Sequence, residues 1–176
     1  MKIGDIKNST GTWTGLGKEL KKRTVEPLGH PSFVIYFVVA QIIAGGAGIW
    51  LELCTYLLSS SPTSLAALRT ALITFFPAVV GSACLQIIWA EDDNRTLRAF
   101  ATFMLIVMSI FALLIGLLTV IPNCRAILLG ACASAVSLWV WWIANAKQKD
   151  LLDPDAALGG DTDSGLPGDL SKFKVE

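Results

Sequence analysis

The chain has 176 residues, 53% of them hydrophobic and only 16% charged, where an ordinary soluble domain carries roughly a quarter charged residues. One small core could not hide that much apolar chain from water, so a soluble globular fold is excluded and a lipid bilayer is the expected solvent. The formal net charge is zero, which removes the electrostatic case for a nucleic-acid binder, and no direct nucleic-acid binding is expected.

Residues 1–30 form a first, basic segment. Trp13, Leu16 and Leu20 share one helical face, with Lys18, Lys21 and Lys22 on the other sides. That pattern predicts a short amphipathic helix lying on a membrane surface. Gly15 and Gly17 weaken it, and a solvated linker with one buried Trp is the alternative. No apolar run of signal-peptide length follows these charges closely, so no cleavable signal is expected. The first apolar run is too long for one and reads as a retained membrane anchor.

Residues 31–147 read as a transmembrane domain. A spanning helix needs about 20 mostly apolar residues. Four stretches meet this: about Phe33 to Leu58, Leu65 to Ala90, Leu97 to Ile121 and Ala126 to Ala146. The breaks between them, SSSPTS, EDDNR and IPNCR, carry turn chemistry. Pro77 falls inside the second stretch and predicts a kink, with neighbouring helices able to satisfy the freed carbonyl. The expected fold class is all-α, a polytopic bundle of four transmembrane helices.

Lysine and arginine set the orientation. They gather in the N-terminal segment, at Arg95 and Arg98 in the middle turn, and in the tail. The two opposite turns hold only Arg69 and Arg125. The positive-inside rule therefore places both termini and the EDDNR turn in the cytoplasm. Trp89, Trp139, Trp141 and Trp142 fall where interfacial anchors belong. Residues 148–176 form an acidic, Gly- and Pro-rich tail with too few apolar residues for a core of its own. Leu170, Phe173 and Val175 are the apolar groups near its end that could bury area, and they mark a candidate docking site for a soluble cytoplasmic partner.

Small and polar residues repeat at helical spacing in every span. Gln41, Gly45, Gly48 and Glu52 share one face of the first. Thr74, Ala78, Ser82 and Gln86 lie along the second, Ser109, Ala112, Gly116 and Thr119 along the third, and Gly130, Ser134, Ser137 and Trp141 along the fourth. Small residues let membrane helices approach closely. Packing within one bundle accounts for many of these positions, and four such stripes also fit a homo-oligomer. Glu52 is the sharpest single residue, because an acid within a span is expensive. Three readings are open: an ion pair with Arg69 at similar depth on the next helix, a protonated structural role, or a place on an ion or proton path.

No catalytic arrangement is visible. There is no Ser-His-Asp set, no paired carboxylates facing a cleft, no phosphate-binding glycine loop and no metalloprotease motif. An enzyme is not expected, and neither is a cofactor. The four cysteines, Cys54, Cys84, Cys124 and Cys132, form no C-x-x-C and have no histidine nearby, so no metal site is expected. They read as buried free thiols acting as small apolar residues.

Two function classes remain. One is a membrane platform or sensor that docks a soluble partner through its inner face and tail. The other is a small oligomeric channel or transporter whose path is lined by the first helix. The basic segment before Pro31, the four spans between Phe33 and Ala146 and the polar tail from Lys147 to Glu176 make a layout that resembles the small four-span components of bacterial anti-phage systems, most of all the KwaA membrane subunits of Kiwa. That resemblance implies a multimeric inner-membrane sensor of phage infection. It would act with a soluble, DNA-binding partner that blocks phage replication.

Overall fold

The computed structural model describes residues 13–58, 65–90, 94–118 and 121–152. Leu170, Phe173, Val175, Thr119 and the acidic part of the EDDNR turn lie outside them. Every regular element among the described residues is a helix.

The first helix, α1 (Trp13–Val25), ends in a short 3₁₀ turn, Glu26–Gly29. Pro31 opens the next helix, α2 (Pro31–Tyr36), and its ring forces the preceding residue out of helical geometry. His30 is accordingly extended, with φ −111° and ψ 101°. The chain turns by 96° between Trp13–Gly29 and Pro31–Gly45. This corner lays α1 across the end of the apolar helices.

From Phe37 to Gly45 the helix continues with π-type hydrogen bonding, then breaks at Gly46 before α3 (Ala47–Leu58). The indole of Trp50 donates to the Ile42 carbonyl at 2.8 Å, so the break does not strand that acceptor. An unsatisfied carbonyl in hydrocarbon would cost several kcal/mol, of the order of a lost hydrogen bond or more. Gly46 is obligatory, because a Cβ here would collide with that same backbone carbonyl and crowd the Trp50 Nε1. Gly46→Ala is expected to destabilise the protein by about 2 kcal/mol, read as a lowered unfolding midpoint in detergent. A neutral outcome would mean the break relaxes into ordinary helix.

Three further helices are long and apolar enough to cross a bilayer: α4 (Leu65–Ala90), α5 (Arg95–Leu117) and α6 (Asn123–Asn145). The apolar segment before them is built from the shorter pieces α2, its π continuation and α3. α4 continues through Pro77 as one helix. Asn94 starts α5 by accepting from the Leu97 amide at 3.1 Å, the usual role of an N-cap asparagine.

The core lies between α4 and α6, the most closely packed pair. Phe76, Val80, Ala83, Cys84 and Ile87 on α4 are buried with Ala133, Ser137, Val140 and Trp141 on α6. Gly130 makes the approach possible: a Cβ added there would sit 3.0 Å from the Leu72 Cβ. The Gly130, Ser134, Ser137 face is thus consumed by packing within one chain. α5 packs on α4 and barely touches α6. Only 17% of its apolar window is buried, so Ile106, Ile110, Leu113 and Leu117 face outward. Such rows of exposed aliphatic side chains are compatible with a membrane location.

The cysteines are free, but only Cys84 is buried, so the expectation of buried thiols fails for Cys54, Cys124 and Cys132.

Candidate functional site

The polar and aromatic groups concentrate at the end of the bundle where α1 lies. Glu19 and Arg23 stand four residues apart on α1, a spacing that brings side chains together on a helix. Glu19 Oε1 accepts from Arg23 Nε at 2.9 Å and from Lys147 Nζ, just past α6, at 2.9 Å. Arg23 is only 1% exposed, so its charge is held in a desolvated position by this carboxylate. Burial opposes ionisation of Glu19, but the hydrogen bonds from Lys147 and Arg23 outweigh it and hold its carboxyl below the ordinary value of 4.5.

Two indoles complete the clamp. Trp139 Nε1 donates to the Thr24 hydroxyl and Trp142 Nε1 to the Thr24 carbonyl, each at 3.2 Å. Trp142 also meets the rings of Phe33 and Phe37 edge-on, with centroids 4.8 and 4.9 Å away. Trp141 is buried against Phe37 and stacks on Tyr36. Sequence position had marked the cluster as interfacial anchors. Trp141 and Trp142 instead face inward and fasten α1 and α2 to α6, while Trp89 and Trp139 remain exposed.

The same end holds an interior amide pair. Gln86 on α4 donates to the Asn145 side-chain carbonyl at 3.1 Å, and the Asn145 amide donates to the Trp141 carbonyl at 2.9 Å. The start of the tail joins in through a short helix, α7 (Lys149–Leu152). The Ser32 hydroxyl donates to the Leu151 carbonyl at 2.9 Å, and Leu151 and Leu152 pack against the core. One end of the molecule therefore gathers α1, the foot of α2, the end of α6 and the beginning of the tail.

At the opposite end, Arg69 stands near the start of α4 and Glu52 lies on α3. The expected ion pair is not formed. The Arg69 guanidinium donates to the carbonyls of Ile115 at 2.5 Å, Leu118 at 3.2 Å and Ile121 at 3.4 Å, and to the Asn123 side chain at 3.3 Å. α5 ends there with no basic residue in its last turn. Its final carbonyls have no helical partner and carry the negative end of the helix dipole, so a cation from α4 caps them. Glu52 is half-buried on α3 and has no hydrogen bond or ion pair among the described residues.

The remaining stripe residues divide. Gln41 is half-buried, while Gly45 and Gly48 are exposed. An added Cβ at Gly48 meets nothing within 4 Å. Thr74, Ala78 and Ser82 on α4 are exposed as well. Among the described residues no group of three or more His, Cys, Asp or Glu side chains could hold a metal. The clamp at the α1 end was missed by sequence reasoning, although the Glu19–Arg23 spacing was a signal for half of it. Searches of protein-family models, curated proteins and solved structures found no match to this chain.

Proposed function

We propose that this protein is a homo-oligomeric, four-span membrane platform or sensor that docks a soluble cytoplasmic partner at the end of the bundle carrying α1 and the tail. The observation that carries the reading is the convergence at that end. α1 is turned across the bundle and clamped to α6 by Glu19, Thr24 and Lys147, and the tail begins on the foot of α2. A rigid surface beside the root of a polar tail is what a docking platform requires, since ordering a polar peptide takes a partner surface to offset its entropy. The lysine and arginine distribution supports a cytoplasmic orientation for this end. The layout resembling KwaA subunits supports a bacterial inner membrane and anti-phage defence as the setting.

Truncation after Leu152, which spares the two leucines packed on the core, tests the platform. The shortened protein is expected to insert and assemble but to lose the soluble protein that co-purifies with the full chain, and with it cellular activity. Residues Leu170, Phe173 and Val175 are the expected anchors. A second reading, a channel, draws support from Glu52, half-buried on an apolar helix next to the open Gly48 face. If the truncated protein keeps its cellular activity and conducts ions in liposomes, the channel reading replaces the platform.

Assembly has its own test. Because the space at Gly48 is open in a single chain, Gly48→Leu should leave monomer stability within about 0.5 kcal/mol, as surface substitutions do. It should weaken association measured by cross-linking or light scattering in mild detergent, because a leucine blocks close helix approach. An unchanged oligomer would remove this face as the contact.

A further inference from the structure

Where α1 passes the first turns of α5 it leaves a cleft in two compartments that meet at Leu16. The larger, about 560 Å³, is walled by Trp13, Leu16, Ala99, Phe100 and Phe103, with Thr96 at its edge. That volume falls within the roughly 300–1,000 Å³ of small-molecule pockets. The smaller, about 210 Å³, is lined by Lys18, Lys22 and Asn94 together with Gly15, Leu16 and Glu19. An apolar compartment and a basic one thus share Leu16 as a wall.

Among the described residues, the lysine charge in the basic compartment is little engaged by carboxylates. Its one carboxylate among the described residues, Glu19, already accepts from Arg23 and Lys147. Lys22 approaches Glu26 only at 4.0 Å, with both side chains well exposed, and such a pair is weak. Lys18 has no ion pair among the described residues. Asn94 spends its side-chain oxygen on the Leu97 amide, which leaves its NH₂ group to donate elsewhere. The 96° corner holds α1 across the end of the apolar helices, the level at which a bilayer crossed by those helices would place its headgroups.

We propose that this cleft binds one anionic phospholipid, with an acyl chain along Trp13, Leu16, Phe100 and Phe103 and the phosphate held by Lys18, Lys22 and Asn94. The charge complementarity selects the headgroup, and the apolar compartment distinguishes a lipid from a free phosphate. The lipid would tie α1 to α5, a pair that the Glu19 clamp, directed at α6, does not join.

Native mass spectrometry of the full chain, titrated with phosphatidylglycerol or phosphatidylcholine, tests this. One phosphatidylglycerol should be retained at concentrations where phosphatidylcholine is not. Each lysine charge near an anionic lipid is worth about fivefold, so Lys18→Gln with Lys22→Gln should weaken retention about 25-fold. Both side chains are exposed, so the double variant should fold. Lys21→Gln, on the same helix but outside the cleft, should change it less than about twofold. Ala99→Trp should block the chain compartment and lower retention while sparing the binding of inorganic phosphate. Equal retention of the two lipids overturns the proposal, and so does an equal loss with Lys21→Gln, which would mean diffuse attraction to the surface. Retention that appears only after deletion of residues 1–12 overturns it in favour of that segment as the occupant.

Discussion

Replacing Glu19 by glutamine is expected to release α1 from the bundle at neutral pH. The carboxylate accepts from two cations, and Arg23 behind it is 1% exposed. Hydrogen bonds to charged groups contribute roughly 1.5–3 kcal/mol, so a local loss of about 2 kcal/mol follows, equivalent to about a 30-fold rise in amide exchange across Trp13–Val25. Lys147→Gln should do less, because that side chain is 49% exposed and its pair is screened by water. The wild-type protein should show the same release in acid. The Glu19 carboxyl is held below its ordinary value, so the clamp's contribution is fully present above the ordinary carboxylate range. It is lost as the pH falls through the lower folded value. In Glu19→Gln, exchange in α1 should be fast throughout and lose this acid step. Exchange within about twofold of wild type at neutral pH would show that the indoles alone hold the helix.

That clamp also shows what the sequence made legible and what it hid. The long apolar runs were plain in composition: α4 occupies the predicted Leu65 to Ala90, and α5 and α6 lie within a few residues of their expected bounds. The first apolar run was continuous in composition, but its helix is broken at Gly46. Periodicity reports which face is apolar and says nothing of a carbonyl colliding with a Cβ four residues on. The small-residue stripes were visible, yet their fates differ. Gly130 meets Leu72, whereas Gly48 meets open space, and only the packing of neighbouring helices distinguishes them. The tryptophans near the end of α6 were placed by depth alone. Trp141 and Trp142 turn inward because Phe33 and Phe37 stand opposite them, a long-range pairing that no local pattern carries.

Arg69 is the other site where the expected partner was of the wrong kind. A charge within an apolar helix invites a search for an opposite charge, and Glu52 was the acid at similar depth. The end of a helix is also a partner, because its last carbonyls lack donors and concentrate partial negative charge. The clue was present in α5, which ends without a basic residue of its own.

Arg69→Met should therefore be among the most damaging single changes in the protein. Methionine keeps much of the aliphatic stem but withdraws donors from the carbonyls of Ile115, Leu118 and Ile121 and from Asn123. Those bonds tie α4 to the end of α5 and the start of α6, so three helices lose their common fastening. Charged hydrogen bonds of this kind sum to about 3–5 kcal/mol once the stranded acceptors are counted. Arg69→Lys should recover only part of this, since an ammonium is a point charge and cannot span several acceptors as a planar guanidinium does. Asn123→Ala, which removes one neutral acceptor, should cost about 1 kcal/mol. Glu52 supplies the decisive comparison. With no bond between the two side chains, Glu52→Gln and Arg69→Met should add within about 0.5 kcal/mol in a double-mutant cycle of unfolding free energies in detergent. A coupling above about 1 kcal/mol would restore the ion pair and overturn the capping role. Additivity, together with faster exchange confined to the last turn of α5, would establish that this arginine serves the end of a helix.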